Sequence, residues 1–314
     1  MQIGACGLKP ADMERPPGFA GFRREHGIKM KKTKRIRKVI EIIRHYLALL
    51  VVSIFVLLPY YWMIVTAIKP TEEVMVSPAT LLPSRIELSN FGKVWNFLPL
   101  GTYMKNSLIV SAVVTIVSVI FATLCGYSIS RFIRRKAQKG ALILMLCTQL
   151  IPGIVTMISL YFIMFNLKMN NTYQGLIIAY VVWAVPFCTL MIKGYFDAAI
   201  PREIEESARV DGCSQFRTFF DICLPISIPG IISTAIFAFI LAWNEYMWAS
   251  ILLSGDKLKP VSVGIYDFIG QYGANTKMAL TMTAGIFITL PAMIIFGFLQ
   301  KYLISGLSAG AVKG

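Results

Sequence analysis

Long apolar runs, separated by polar stretches, dominate the pattern along the chain. Six of them reach the roughly 20 residues that a helix needs to cross a bilayer. They are Leu47–Ile68, Asn106–Ser130, Ala141–Phe165, Gln174–Ile192, Gly230–Leu253 and Ala279–Leu299. The pattern predicts an all-α integral membrane protein with six transmembrane helices. The first run is too long for a cleavable signal, and no small-residue cleavage site follows it. Pro59, Pro152, Pro186 and Pro291 interrupt the runs. Prolines at such depth kink a helix, and neighbouring helices must satisfy the freed groups. Static kinks and gating hinges both fit.

Between the runs the pattern changes. Residues 1–29 have no apolar periodicity and are rich in Gly, Pro and Arg, which predicts disorder. Met30 opens a basic segment over 30–46. Translation from Met30 would make the first 29 residues a start-site artefact, which an intact mass of the natively expressed chain decides. The connection Lys69–Lys105 is Pro-rich early on. It then predicts one amphipathic helix, capped by Ser89 or Asn90, with Phe91, Val94, Trp95 and Leu98 on one face. Such a helix is expected at the outer membrane surface. The connection Ser254–Met278 is polar and long enough to reach a partner.

Composition and charge sharpen this picture. Of 314 residues, 56% are hydrophobic and 15% charged, against about 25% charged in soluble domains. Mean hydropathy is +0.65. A disordered chain is excluded, and the figures point away from a soluble globular enzyme. The net charge is +15. The basic residues are segregated: twelve precede Leu47, and Arg131, Arg134, Arg135, Lys136 and Lys139 lie between the second and third runs. Lys193, Arg202, Arg209 and Arg217 lie between the fourth and fifth, and Lys301 and Lys313 follow the last. Basic loops stay inside, so both termini are predicted to be cytoplasmic. Charge confined to alternate loops reports topology, and nucleic acid is not an expected partner. The six cysteines form no C-x-x-C pair, and His26 and His45 are the only histidines. No metal site is expected. No phosphate-cradling G-x-x-x-x-G-K-[ST] loop occurs, so the chain is not expected to bind ATP itself or to be an enzyme.

The loop before the fifth run is the most informative segment. Pro201 suits a helix start, and Glu203, Glu205 and Glu206 complement the helix dipole. Arg209 stands four residues after Glu205, a favourable pairing distance. Asp211-Gly212 ends the helix, with Gly212 suited to a left-handed cap. A second helix is expected from Ser214, carrying Phe216, Phe219, Phe220 and Ile222, until Pro225 and Pro229 break it. The small residues Ser207 and Ala208 permit close approach of another protein. Docking of a partner and simple anchoring of the fifth span both fit these residues.

The stretch Glu206-Ser207-Ala208-Arg209-Val210-Asp211-Gly212, followed by Phe219, Leu224-Pro225 and Pro229, resembles the EAA signature of ABC importer membrane subunits. Ser207 and Cys213 stand where that pattern usually has alanine, and both are small. Trp62 with Lys69-Pro70, Asn106-Ser107, the run Ala242-Trp243-Asn244-Glu245-Tyr246 and the tail Gln300–Gly314 also resemble the carbohydrate-importer branch. The resemblance covers most of the chain from about residue 45. It implies a type I ABC importer permease fold over 47–305, coupling helices at 201–223 and a cytoplasmic tail at 306–314.

The resemblance further implies an ATPase-coupling set of Glu205, Glu206, Ser207, Ala208, Arg209, Asp211 and Gly212. It implies tail contacts to the ATPase through Gly306, Ala309 and Gly310, and an outer loop Ser254–Met278 that meets a solute-binding protein. The implied partners are a second permease subunit, two ATPase subunits that bind the ATP and magnesium, the extracytoplasmic solute-binding protein, a sugar and membrane lipid. Glu245 is the only acid inside a predicted span, and such an acid is a functional candidate by default. With Trp243 and Asn244 it suits sugar recognition. A helix–helix hydrogen bond or a structural cap fits it equally. An ion-coupled secondary transporter is the main alternative, although such proteins usually carry several intramembrane ionisable groups. A non-transporting anchor, and an importer of glycerol-phosphate or polyols, are the others.

Overall fold

The computed structural model describes residues 19–272 and 277–311, and the side-chain surroundings of 38–269 and 277–302. Residues 1–61 and 62–314 form two compact units. Helix α1 (Phe19–Ala67), which supplies the described part of the first unit up to Tyr61, is already under way by Phe19, where the sequence reads as unstructured. Its stretch Lys38–Ala67 is 30 residues long, or about 45 Å of helix. Residues 1–18 of the expected disordered segment lie outside the described residues.

The second unit is built from α2 (Asn90–Phe97), α3 (Leu100–Arg131), α4 (Arg135–Leu150), α5 (Gly153–Asn166), α6 (Tyr173–Ala199), α7 (Arg202–Val210), the short α8 (Gln215–Arg217), α9 (Leu224–Asn244), α10 (Met247–Leu252), α11 (Val261–Tyr272) and α12 (Met278–Ala311). Among the described residues, five helices are long and apolar enough to cross a membrane, or six if α4 and α5 count as one span.

That pair corrects the expected third span. Ala141–Phe165 is not one helix, because α4 and α5 meet at 92°. Ile151, which precedes Pro152, is extended at ψ 122°, the conformation a following proline imposes. With 16 and 14 residues, each half is shorter than the ~30 Å core requires. The other prolines do not break their helices: Pro59, Pro186 and Pro291 lie inside α1, α6 and α12.

The expected break at Pro225 and Pro229 is also corrected. From Gln215 to Asn244 the chain is one 30-residue span. Its segment Thr218–Cys223 is a π-helix, and such local widening accommodates prolines that lack a donor. The expected fifth span, Gly230–Leu253, instead ends at Asn244, and α10 follows as a separate short helix.

The core sits where α3, α6 and α9 pack together. The buried face of α3 carries Ser107, Ser111, Val114, Ser118, Ala122 and Gly126, three or four residues apart. Small residues let membrane helices approach closely. A Cβ on Gly126 would stand 3.1 Å from the Lys193 backbone nitrogen of α6. Gly230 of α9 likewise receives the Tyr195 ring of α6.

At the end of the bundle where α3 begins, α2 turns its apolar face onto protein. Trp95 and Phe91 meet Phe287 of α12 edge-on, at 5.1 and 6.0 Å between centroids. Neither expected cap acts as one: Asn90 donates to the carbonyls of Ala67 (2.9 Å) and Lys69 (3.1 Å), and Ser89 makes no side-chain cap.

Candidate functional site

At the end of the bundle where α3 finishes, α7 is the predicted helix, and its local sequence explains its shape. Pro201 precedes it with φ −58° and ψ 144°, and Glu203 and Glu205 occupy its first turn. Gly212 takes φ +82°. Its N–H donates to Arg209 O (3.0 Å), and the Cys213 N–H donates to Ala208 O (2.9 Å). These two bonds form the left-handed C-terminal cap that glycine favours.

The predicted coupling residues divide into two faces. Glu206, Ser207, Arg209, Asp211 and Gly212 are exposed, and Glu205 and Ala208 are buried. Ser207 Oγ donates back to Glu203 O at 2.8 Å. The expected Glu205–Arg209 pairing is corrected. Glu205 turns inward and pairs with Arg131 Nε at the end of α3, while its other carboxylate oxygen accepts from Tyr127 Oη at 3.1 Å. A helix this short buries only one narrow face, and Glu205 shares that face with Ala208 at i+3.

Sequence reasoning missed Arg131 and Tyr127, which lie more than seventy positions from Glu205. It also gave Val210 and Phe216 no place in the coupling set. They flank the Gly212 turn and are 87% and 80% exposed. Two large apolar side chains beside a polar exposed helix face are the signal that marks this surface.

The second predicted cluster lies at the opposite end and is scattered. Trp243 is buried and stacks on Phe239 at 5.6 Å. Asn244 is exposed and donates to Ile240 O at 2.9 Å. Glu245 is not inside a span but in the break between α9 and α10. Its carboxylate accepts from the N–H groups of Trp248 (2.8 Å) and Ala249 (3.2 Å) and from Tyr180 Oη (2.5 Å). These are first-turn donors of α10 that have no partner within the helix. The three residues therefore do not converge on one surface.

Asn106 and Ser107, singled out by resemblance, hold the loop between α10 and α11. Asn106 Nδ2 donates to the carbonyls of Lys257 (3.0 Å) and Lys259 (2.9 Å). Its Oδ1 accepts from Tyr173 Oη at 2.7 Å, and Ser107 Oγ accepts from Val261 N at 2.8 Å. Lys259 binds Asp267 (2.6 Å) and Asp256 (3.3 Å), and these carboxylates raise its pKa, Asp267 most. Trp62 and Lys69 also meet, with the ammonium 4.9 Å from the ring centre. Gly306, Ala309 and Gly310 lie in the helical backbone of α12, and their side-chain surroundings lie outside the described residues. Among the described residues, no group of three His, Cys, Asp or Glu is arranged to hold a metal.

A bundle of apolar spans carrying a capped, largely exposed polar helix at one end is the architecture of a membrane-embedded permease subunit. The chain belongs to the binding-protein-dependent transport system inner membrane component family, whose match covers residues 118–309. It is similar to the diacetylchitobiose uptake system permease protein DasC of Streptomyces coelicolor, with 33% identity over 84% of this chain and 94% of that protein. It is also similar to the trehalose/maltose transport system permease protein MalG of Thermococcus litoralis, with 34% identity over 84% of this chain and 94% of that one. Its fold matches a crystal structure of a bacterial ABC transporter involved in import of the acidic polysaccharide alginate. There the TM-score is 0.68 at 22% identity, over 86% of this chain and 97% of that chain. The protein is thus a multi-pass inner-membrane permease subunit of an ABC importer.

Proposed function

We propose that this subunit forms half of a translocation pathway for sugars or oligosaccharides and takes its drive from an ATPase docked on α7. The carbohydrate class is supported by the substrates for which the related permeases are named. The docking role is carried by one observation: α7 buries only Glu205 and Ala208 and presents Glu206, Ser207, Arg209 and Val210 outward beside Phe216. A polar helix with so little internal contact is stabilised further by a partner that covers its outer face.

In this reading both termini and α7 are cytoplasmic, as the segregation of basic loops supports. The loop Ser254–Met278 is extracytoplasmic and meets a solute-binding protein. A second permease completes the pathway, and the tail through Gly306, Ala309 and Gly310 approaches the ATPases. Two ATPase subunits bind ATP and magnesium, and this chain itself catalyses no reaction. Of the pathway candidates Trp243, Asn244 and Glu245, only Asn244 has an exposed side chain that a sugar can reach in this subunit.

The test is mass spectrometry of what copurifies with the chain in mild detergent from its native host. An ATPase, a second permease and a sugar-binding protein are expected. A chain recovered alone after gentle crosslinking overturns the docking reading and favours an ion-coupled transporter.

A further inference from the structure

Docking displaces α7, and the displacement reaches the spans only through whatever fastens α7 to them. Apolar burial supplies little of that fastening, because Ala208 is the only apolar side chain of α7 that is buried. Glu205 supplies the buried polar part of it. Both of its carboxylate oxygens are held by α3, one by Arg131 Nε and the other by Tyr127 Oη at 3.1 Å. The Arg131 and Glu205 side chains are 5% and 4% exposed, so water does not compete for the pair.

Arg131 does not stop at Glu205. Its Nη2 donates to the carbonyls of Ile200 (2.7 Å) and Phe196 (3.3 Å) at the end of α6. Its Nη1 donates to Ser130 Oγ at 2.9 Å and lies 3.8 Å from Asp197. Asp197 is in turn bridged to Lys193 at 2.7 Å. Arg202, the first residue of α7, donates to Ser130 O at 3.2 Å. One planar guanidinium therefore grips the ends of α3 and α6 and the buried face of α7. The rigid fork of donors is what permits this, and a lysine ammonium cannot reproduce it.

We infer that the Arg131–Glu205 pair is the rigid joint through which displacement of α7 is passed to α3 and α6. Arg131 and Glu205 are positioning residues that touch neither the solute nor the nucleotide. The inference rests on the docking reading of α7.

The experiment uses the complete transporter purified with its ATPases, on a background whose reactive native cysteines are replaced. Spin labels at Glu203→Cys on α7 and Leu108→Cys on α3 report their separation with and without ATP plus vanadate. In the parent, the two distance distributions superimpose, because α7 and α3 move as one body. In Glu205→Gln and Arg131→Lys they shift or broaden on trapping, while ATP hydrolysis persists. If an uncompensated buried charge prevents assembly, Arg131→Met combined with Glu205→Leu removes both charges, a replacement that folded proteins often tolerate. It is expected to assemble and to show the same slippage. Superimposable distributions in these variants, or a shift in the parent itself, overturn the joint. A parent preparation that retains no ATPase refutes docking, and the joint falls with it.

Discussion

Tyr180 of α6 donates a 2.5 Å hydrogen bond to Glu245, and that carboxylate also receives the first free N–H groups of α10. One acid thus ties α6 to the point where the fifth span breaks. Ser262 Oγ adds a bond to the Glu245 carbonyl at 2.6 Å, which brings in α11. Removal of the side chain leaves the Trp248 and Ala249 N–H groups facing a vacated space and Tyr180 Oη with only the Glu245 carbonyl at 3.5 Å. Each buried unpaired group costs about 1–3 kcal/mol. Glu245→Ala is therefore expected to lower the thermal midpoint of the detergent-solubilised protein sharply. Glu245→Gln keeps one acceptor oxygen and is expected to fall between Ala and the parent. Tryptophan fluorescence during heating reads both, since Trp248 adjoins the site.

Asn106 is expected to govern the order of the loop between α10 and α11 rather than the stability of the bundle. It donates to two carbonyls of that loop, Lys257 and Lys259. Asn106→Asp preserves shape but replaces the donor with a charged acceptor opposite two carbonyls. Trypsin cleavage after Lys257 is expected to accelerate, with little change in thermal midpoint. Cleavage at the parent rate means that Ser107 and the Lys259 ion pairs hold the loop without Asn106.

Much of this was legible in the chain. Five of the six spans follow from hydropathy alone, and the Gly212 cap follows from the Asp-Gly pair after an acid-rich first turn. The partner of Glu205 was not legible. Arg209 stands at the favourable i+4 spacing, and only the packing of α3 beside α7 brings Arg131 to the carboxylate instead. The angle at Pro152 was hidden for a similar reason: a proline announces a kink, and the surrounding helices set how far it opens. The π segment that carries the chain past Pro225 has no compositional mark. The run of small residues on α3 from Ser107 to Gly126 was available and marks the α6 interface. Hydropathy conceals it, because serine and alanine barely change the average.

That interface supplies a packing prediction. A Cβ on Gly230 would lie 2.3 Å from the Tyr195 ring, closer than any side chain tolerates. Overpacking of this kind costs about 1–3 kcal/mol. Gly230→Ala is expected to destabilise, and Tyr195→Ala in the same chain is expected to recover part of the loss. The double-mutant cycle by thermal unfolding isolates the contact.

The connection between α1 and α2 carries a pH dependence. Glu73 accepts from Ser84 Oγ (2.7 Å), Ser84 N (3.0 Å) and Thr80 Oγ1 (2.9 Å). Hydrogen bonds from the Ser84 side chain, then its backbone and Thr80, hold the carboxyl below the usual carboxylate range. A lowered value in the folded state means that the ionised form is favoured by folding. The contribution is complete above the ordinary carboxylate range and is lost as pH falls through the lowered value. A spin label at Leu82, 70% exposed, is expected to gain mobility below that range. In Glu73→Gln the label is expected to be mobile already at neutral pH and to lose the acid-dependent step. An identical acid profile in both proteins rules out Glu73 as the titrating group.

Glu206 and Gly212 separate docking from folding. Glu206 is exposed and makes no ion pair among the described residues, so Glu206→Lys is expected to leave the thermal midpoint unchanged. If α7 docks an ATPase, as proposed, the reversed charge disturbs that contact, and copurifying ATPase is expected to fall. Gly212 acts differently. Its φ of +82° is closed to proline, whose ring fixes φ near −65°, and Gly212→Pro also deletes the N–H bonded to Arg209 O. The turn must open, and α7 then presents Glu206 and Val210 in a different direction. Membrane insertion is expected to survive in both variants, because neither residue lies in a span. Solute uptake is expected to be lost in both, with ATPase retention reduced most in Glu206→Lys. Uptake at the parent rate in both variants sinks the docking role of α7, whatever their effects on stability.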